Sequence, residues 1–169
     1  MTNKYTYFIA NWKMFGNKQS INLLDKVISF VKKHKKNNIK LIYFPPATLI
    51  NLFNKKLNTT SIDVGAQNCH PNEKYGAYTG QINSYMLKDA GAKYIILGHS
   101  ENRQFGDSDN IINSKIKSSI KSGLKVIFCI GESLNQKRKK NTKKVLLKQI
   151  IQGLKNIRNK KNIIIAYEP

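Results

Sequence analysis

Two patterns of apolar positions alternate along this chain. Short unbroken apolar runs, of the kind that suit strands buried on both faces, are separated by stretches with helical spacing. The runs are Tyr5 to Ala10, Ile39 to Phe44, Ile62 to Ala66, Tyr94 to Leu97, Leu124 to Ile130 and Ile163 to Ala166. Ile21, Leu24, Val27, Ile28 and Val31 predict a helix from about Ser20 to Lys33, with Asn17 or Ser20 as its cap. Pro45-Pro46 stops the second strand, and a short helix, Ala47 to Phe53, follows. Ile82 to Ala90 predicts a helix closed by Gly91 as a left-handed cap. Ile112, Ile116 and Ile120 define another, begun by Asp107 or Ser108 and ended by Gly123. Leu147, Ile150, Ile151, Leu154 and Ile157 define the last long helix, which follows a basic stretch from Lys137 to Lys144. Gln67 to Gln81 shows no period, and loops that long are usually functional or interfacial.

Strict alternation of strand and helix implies an α/β fold with a parallel sheet and right-handed crossovers. The sheet could be open and doubly wound, or closed into a barrel. Neither G-x-G-x-x-G after the first strand nor G-x-x-x-x-G-K-[ST] occurs, so both nucleotide-binding fingerprints of open sheets are missing. That tilts the reading towards a (β/α) barrel. A complete one has eight βα units and about 250 residues. This sequence supplies six strands in 169 residues, read as one domain over residues 1–169.

Charge adds a second question. Thirty Lys and Arg face nine Asp and Glu, a net +21. Such a balance raises nucleic acid as a partner. Yet Lys, Ile and Asn, which share A/T-rich codons, make up 69 of the 169 residues, and only three cations are Arg. Readers of base edges favour Arg for two-pronged contacts. The lysines cluster at Lys32 to Lys36, Lys137 to Lys144 and Lys160-Lys161, and the expectation is a solvated basic surface without nucleic acid. Cys69 and Cys129 sit in no C-x-x-C or metal-ligand spacing, which fits a reducing cytoplasm. Tyr5 to Ala10 is too short for a signal peptide, and no apolar run approaches membrane-spanning length. A soluble, cytoplasmic protein is expected.

Polar groups follow the strands directly. Asn11 and Lys13 follow the first, His99, Ser100 and Glu101 the fourth, and Glu168 the sixth. In a parallel barrel these ends share one face, where sites are built. A carboxylate, an imidazole and an ammonium together can move protons beside an anionic substrate. Taken singly, each residue has an ordinary structural explanation. Spacing alone does not name the reaction.

The motifs do. Asn-Trp-Lys-Met at 11–14, Gly-Ala-Gln-Asn at 65–68, Gly-Ala-Tyr-Thr-Gly at 76–80, Gly-His-Ser-Glu at 98–101, Cys-Ile-Gly-Glu at 129–132 and Ala-Tyr-Glu-Pro at 166–169 resemble, in order, blocks of the triosephosphate isomerase family. The resemblance implies a (β/α)8 TIM barrel that interconverts dihydroxyacetone phosphate and glyceraldehyde 3-phosphate without cofactor or metal. It assigns Glu168 as the base, His99 as a neutral electrophile, and Asn11 and Lys13 as substrate-binding groups, with Lys13 also catalytic. Glu101 and Ser100 become supporting residues, and both cysteines structural. It also implies a homodimer in which the loop around Gly76 to Gly80 docks into a second subunit and Thr79 reaches the partner's site. A competing reading is a truncated barrel that binds RNA or another polyanion.

Departures from the family pattern are Asn102, usually Arg, and Phe15, usually Asn. The family continues past Glu-Pro into a mobile lid and two further βα units that grip the phosphate. This leads to the expectation that these residues are part of a longer polypeptide and nearly inactive alone, because an enediolate needs shielding from water. Intact mass of the protein from its source tests this. A value well above 19.3 kDa is the expected result.

Overall fold

Six strands form where the apolar runs predict them: β1 (Thr6–Asn11), β2 (Ile39–Phe44), β3 (Ile62–Ala66), β4 (Tyr94–Leu97), β5 (Lys125–Ile130) and β6 (Ile163–Tyr167). A computed structural model describes residues 5–34 and 38–169, which divide into two compact units. Lys35 and Lys36, in the first lysine cluster, lie outside the described residues.

The first unit comprises the described residues within 1–67 and 87–94. β1 pairs in parallel with β2, from Thr6 opposite Ile39 to Asn11 opposite Phe44. β2 pairs in parallel with β3, from Leu41 opposite Ile62 to Tyr43 opposite Val64. Asn17, not Ser20, begins the first helical segment: its side chain accepts the N–H groups of Gln19 and Ser20, and Ser20 Oγ accepts from Asn17 N–H. The segment therefore starts earlier than its apolar period, as a tight 3-10 stretch (Lys18–Leu23), before α1 (Leu24–Lys33). α2 (Ile50–Leu57) runs four residues beyond its expected end, because Leu57 extends the buried face of Ile50 and Phe53. Trp12 packs edge-on against Phe53, with ring centres 4.9 Å apart. After α3 (Ser84–Asp89), Gly91 takes φ +103° and Ala92 N–H bonds the Leu87 carbonyl, the predicted left-handed cap.

The second unit comprises residues 68–86 and 95–169. β5 and β6 run parallel, from Val126 opposite Ile163 to Ile130 opposite Tyr167. Four helices belong to it: α4 (Ser100–Gln104), α5 (Asp109–Lys121), α6 (Leu134–Arg138) and α7 (Thr142–Gly153). α4 and α6 are five residues long, too short to display a helical period. Ser108 caps α5 by accepting from Ile111 N–H. The basic stretch expected before the last helix instead forms the end of α6 and the start of α7, with Lys140 at φ +56° between them.

The core of this unit holds Ile95, Leu97, Ile112, Ile116, Leu124, Val126 and Phe128. α7 approaches β5 through Gly153, where an added Cβ would lie 2.4 Å from Phe128 Cζ. Asn113 Nδ2 donates to the Gly153 and Lys155 carbonyls, closing that helix end. Among the described residues no helix is long and apolar enough to cross a membrane.

Gly153→Ala should therefore destabilise the chain. Overpacking a buried ring costs about 1–3 kcal/mol, more than the roughly 0.5–1 kcal/mol by which Ala favours a helix over Gly. Urea unfolding should show a lower midpoint at unchanged slope.

Candidate active site

β4 ends at Leu97, and Gly98 turns the chain with φ +77°. A Cβ there would also meet the Cys129 carbonyl at 2.8 Å, so the turn requires glycine. Arg103 fixes it from behind: Nε donates to the Gly98 carbonyl at 2.8 Å, and Nη1 pairs with Asp109 at 2.6 Å. His99 emerges from this turn as the N-cap of α4. Its Nδ1 accepts the Glu101 backbone N–H at 3.3 Å. With Nδ1 accepting, the ring proton belongs on Nε2, a tautomer assigned from the hydrogen bonds. Nε2 faces Glu168 Oε1 at 3.2 Å. The His99 side chain is 13% exposed, against 35% for Glu168. Glu101 Oε2 lies 3.5 Å from Nδ1, on the other side of the ring.

Glu168 reaches this group because β6 comes down on a glycine. Its N–H bonds the Ile130 carbonyl at 2.8 Å. A Cβ on Gly131 would sit 1.7 Å from the Glu168 carbonyl oxygen. Gln149, on α7, holds Gly131 from both sides, accepting from its N–H and donating to its carbonyl, each at 2.9 Å. The Glu168 carboxylate then receives Ser100 Oγ at 2.8 Å on Oε1 and Ser100 N–H at 3.3 Å on Oε2. Together with the His99 ring, three donors fix its orientation. The structure thus brings together His99, Ser100, Glu101 and Glu168. A carboxylate beside an imidazole N–H is a pair able to abstract a carbon-bound proton and hydrogen-bond the adjacent oxygen.

Two polar clusters with buried members lie in the same unit as this pair. Glu132 accepts Thr142 Oγ1 at 2.8 Å and the Tyr167 hydroxyl at 3.1 Å on Oε1, while Oε2 is buried with no partner among the described residues. Burial pushes its acidity towards a higher pKa. The hydrogen bonds from Thr142, its own backbone and Tyr167, with the charge of Lys137, outweigh that and hold it below the ordinary value. In the second cluster, Lys115 places its buried ammonium against both oxygens of Asp107, at 2.6 and 2.7 Å, and against Asn68 Oδ1 at 3.0 Å. Asn68 Nδ2 donates to Asn102 Oδ1 at 3.2 Å, and the Asn102 carbonyl accepts Asp107 N–H. This ring of contacts ties α4 to α5. Its asparagine at 102 is one of the two departures from the family pattern.

In the first unit, Lys13 has φ +52°, an uncommon conformation for a side-chain-bearing residue. Asn11 Oδ1 accepts its N–H at 3.0 Å, and Gln67 Nε2 donates to its carbonyl at 2.7 Å and to that of Phe44 at 2.8 Å. Asn11 and Lys13 are thus joined through a strained turn. Sequence alone gives Gln67 no role, although it lies in the Gly-Ala-Gln-Asn block. Nor does it give one to Arg103, Gly131 or Gln149; the glycine in Cys-Ile-Gly-Glu is the available signal.

Thr79 is exposed, on a loop organised by its own contacts. His70 lies against Tyr78, with ring centres 4.5 Å apart, its Nδ1 accepts Asn72 N–H, and its own N–H bonds the Ile82 carbonyl. Tyr75 at this loop's tip is 77% exposed. Cys69 and Cys129 are buried and unpaired, and burial pushes their thiols up to about 11 and about 12. Among the described residues no group of three His, Cys, Asp or Glu is arranged to hold a metal ion.

Comparison with known proteins gives one answer. The family model for triosephosphate isomerase matches residues 6–169. A triosephosphate isomerase of Thermodesulfovibrio yellowstonii is 42% identical over 96% of this chain and 66% of its own length. One of Alkaliphilus oremlandii is 41% identical over 95% of this chain and 64% of its own. The crystal structure of triosephosphate isomerase from Bartonella henselae superimposes with a TM-score of 0.89 at 35% identity, covering 96% of this chain and 67% of that one. The chain therefore spans about two thirds of the length of the relatives it matches. Its fold is that of a (β/α)8 barrel, of which six strands are present.

Glu132 generates a pH prediction. A carboxyl held below its unfolded value, near 4.5, adds stability that is complete above that pH and is lost as pH falls through the folded value. Replacing the donors in Thr142→Val/Tyr167→Phe removes that contribution. The stability gap between parent and variant should be widest at neutral pH and narrow below about pH 4.5 in urea titrations. A gap independent of pH would overturn the assignment.

Proposed function

Because this chain belongs to the triosephosphate isomerase family, we propose that its protein interconverts dihydroxyacetone phosphate and D-glyceraldehyde 3-phosphate by proton transfer through an enediolate. The observation that carries this reading is the Glu168 carboxylate set 3.2 Å from His99 Nε2, with Ser100 Oγ donating to it. Glu168 accepts a proton from the carbon next to the carbonyl. The Nε2–H of neutral His99 donates to the substrate oxygens and spreads the developing charge. His99 Nε2 gives its proton to the former carbonyl oxygen and takes the one on the neighbouring hydroxyl, and Glu168 returns the carbon-bound proton to the neighbouring carbon, so nothing is consumed and no cofactor is needed. Ser100 holds the carboxylate until substrate draws it away. From their motif, Asn11 and Lys13 bind the substrate, with the Lys13 ammonium as the group for its anionic parts. Glu101 supports from the far side of the His99 ring.

The protein is read as a cytoplasmic enzyme of glycolysis and gluconeogenesis, and as a homodimer. Support for the dimer comes from the exposed Tyr75 and Tyr78 on the loop carrying Thr79, an apolar tip suited to burial against another chain.

The test is turnover by these residues joined to the seventh and eighth βα units of a relative. Glu168→Asp and His99→Gln should each lower kcat by about 10²–10⁴, with little change in KM. Unchanged turnover in both variants would show the roles to be misassigned.

A further inference from the structure

Eleven of the thirty cationic side chains, and none of the nine Asp and Glu, lie between Ser133 and Lys161. All eleven are exposed. Seven of them, Lys137, Arg138, Lys139, Lys140, Lys143, Lys144 and Lys148, fall on α6, α7 and the turn between. No ion pair among the described residues involves any of the eleven. Elsewhere four lysines are paired: Lys56 with Asp25, Lys93 with Asp63, Lys115 with Asp107 and Lys121 with Glu73. Even codon usage that inserts lysine would fill the whole surface. It does not explain a segment stripped of acids.

The placement also opposes helix electrostatics. Lys143 and Lys144 occupy the first turn of α7, the positive end of its dipole, with no acidic residue there and no side-chain hydrogen bond from Asn141. Cations at that end are unfavourable. Like charges one turn apart, Lys144 and Lys148, add repulsion. A partner bringing a row of negative charges relieves both.

We infer that the α6–α7 face binds the phosphate backbone of double-stranded nucleic acid without reading its sequence. The chemistry selects this partner. The α7 cations fall between Lys143 and Lys148, about 8 Å along the axis at 1.5 Å per residue, and Lys137 to Lys140 precede them, enough to meet several neighbouring phosphates. Residues 133–161 contain no aromatic side chain on which unpaired bases could stack. Their cations are mostly Lys, point charges for phosphate rather than forks for guanine. None of these cations belongs to the proposed active site, so the inference is independent of the isomerase reading.

The experiment is fluorescence anisotropy of the full-length protein with a labelled 20-base-pair RNA duplex across a salt series. If about five phosphates are neutralised, log K against log salt should fall with a slope near −4 to −5. Changing Lys137, Arg138, Lys143, Lys144 and Lys148 to Gln should weaken binding at least tenfold and flatten the slope. A control carrying Lys26, Lys32, Lys33, Lys55 and Lys88 changed to Gln removes the same charge elsewhere and should stay within about threefold of the parent. Both variants alter exposed side chains, and matching melting curves confirm that they fold. Equal weakening in the two variants would reduce the effect to net charge and overturn the proposal. So would a parent that does not bind, or one that binds anionic vesicles and not RNA, since Leu134 and Ile151 are exposed among these cations.

Discussion

The carbonyl of Glu168 occupies the space that any side chain on residue 131 would need, and the second unit is arranged around that contact. Glycine at 131 lets β6 reach the level at which its last carboxylate meets Ser100 and His99. Gln149 holds the same glycine from α7, so helix, strand end and carboxylate form one rigid assembly. Preorganisation of this kind removes the cost of ordering the carboxylate. The rest of the machinery is backbone geometry too. A left-handed glycine ejects His99 from its strand, and a backbone N–H settles which of its nitrogens carries the proton.

The two polar clusters in this unit differ in design. Around Glu132, neutral hydroxyls satisfy one oxygen and leave the other bare. Around Lys115, a full ion pair is buried and each partner is further tied to an asparagine or the backbone. Buried pairs like this contribute little net stability but penalise alternatives severely, since losing one partner strands the other's charge. Asn102 therefore has a structural part within this chain, accepting from Asn68 and, through its carbonyl, from Asp107 N–H.

Strands were the most legible part of the sequence. Buried parallel strands are apolar runs whatever their neighbours, and β2, β3 and β4 begin and end where those runs do. Helix ends were less legible, because they depend on side chains bonding to the backbone. Asn17 and Ser20 were both credible caps, and only geometry separates them. Short α4 and α6 carry no period at all. The meeting of His99 with Glu168 was expected from the order of strand ends. The supports from Arg103, Gly131 and Gln149 were hidden, because nothing in a sequence states which backbone lies against which glycine.

Lys13 carries a broader consequence. Its backbone sits where glycine or asparagine would be more at ease, and where an ordinary side chain costs of order 1–3 kcal/mol. Drift under selection for folding alone would replace it with one of those residues, and the chain would gain robustness while losing its ammonium. If the ammonium is the substrate-binding group proposed above, selection has to hold lysine there against better-folding competitors. The strain at this one residue is thus a meter of use: in a lineage where the ammonium no longer mattered, position 13 would be among the first to relax.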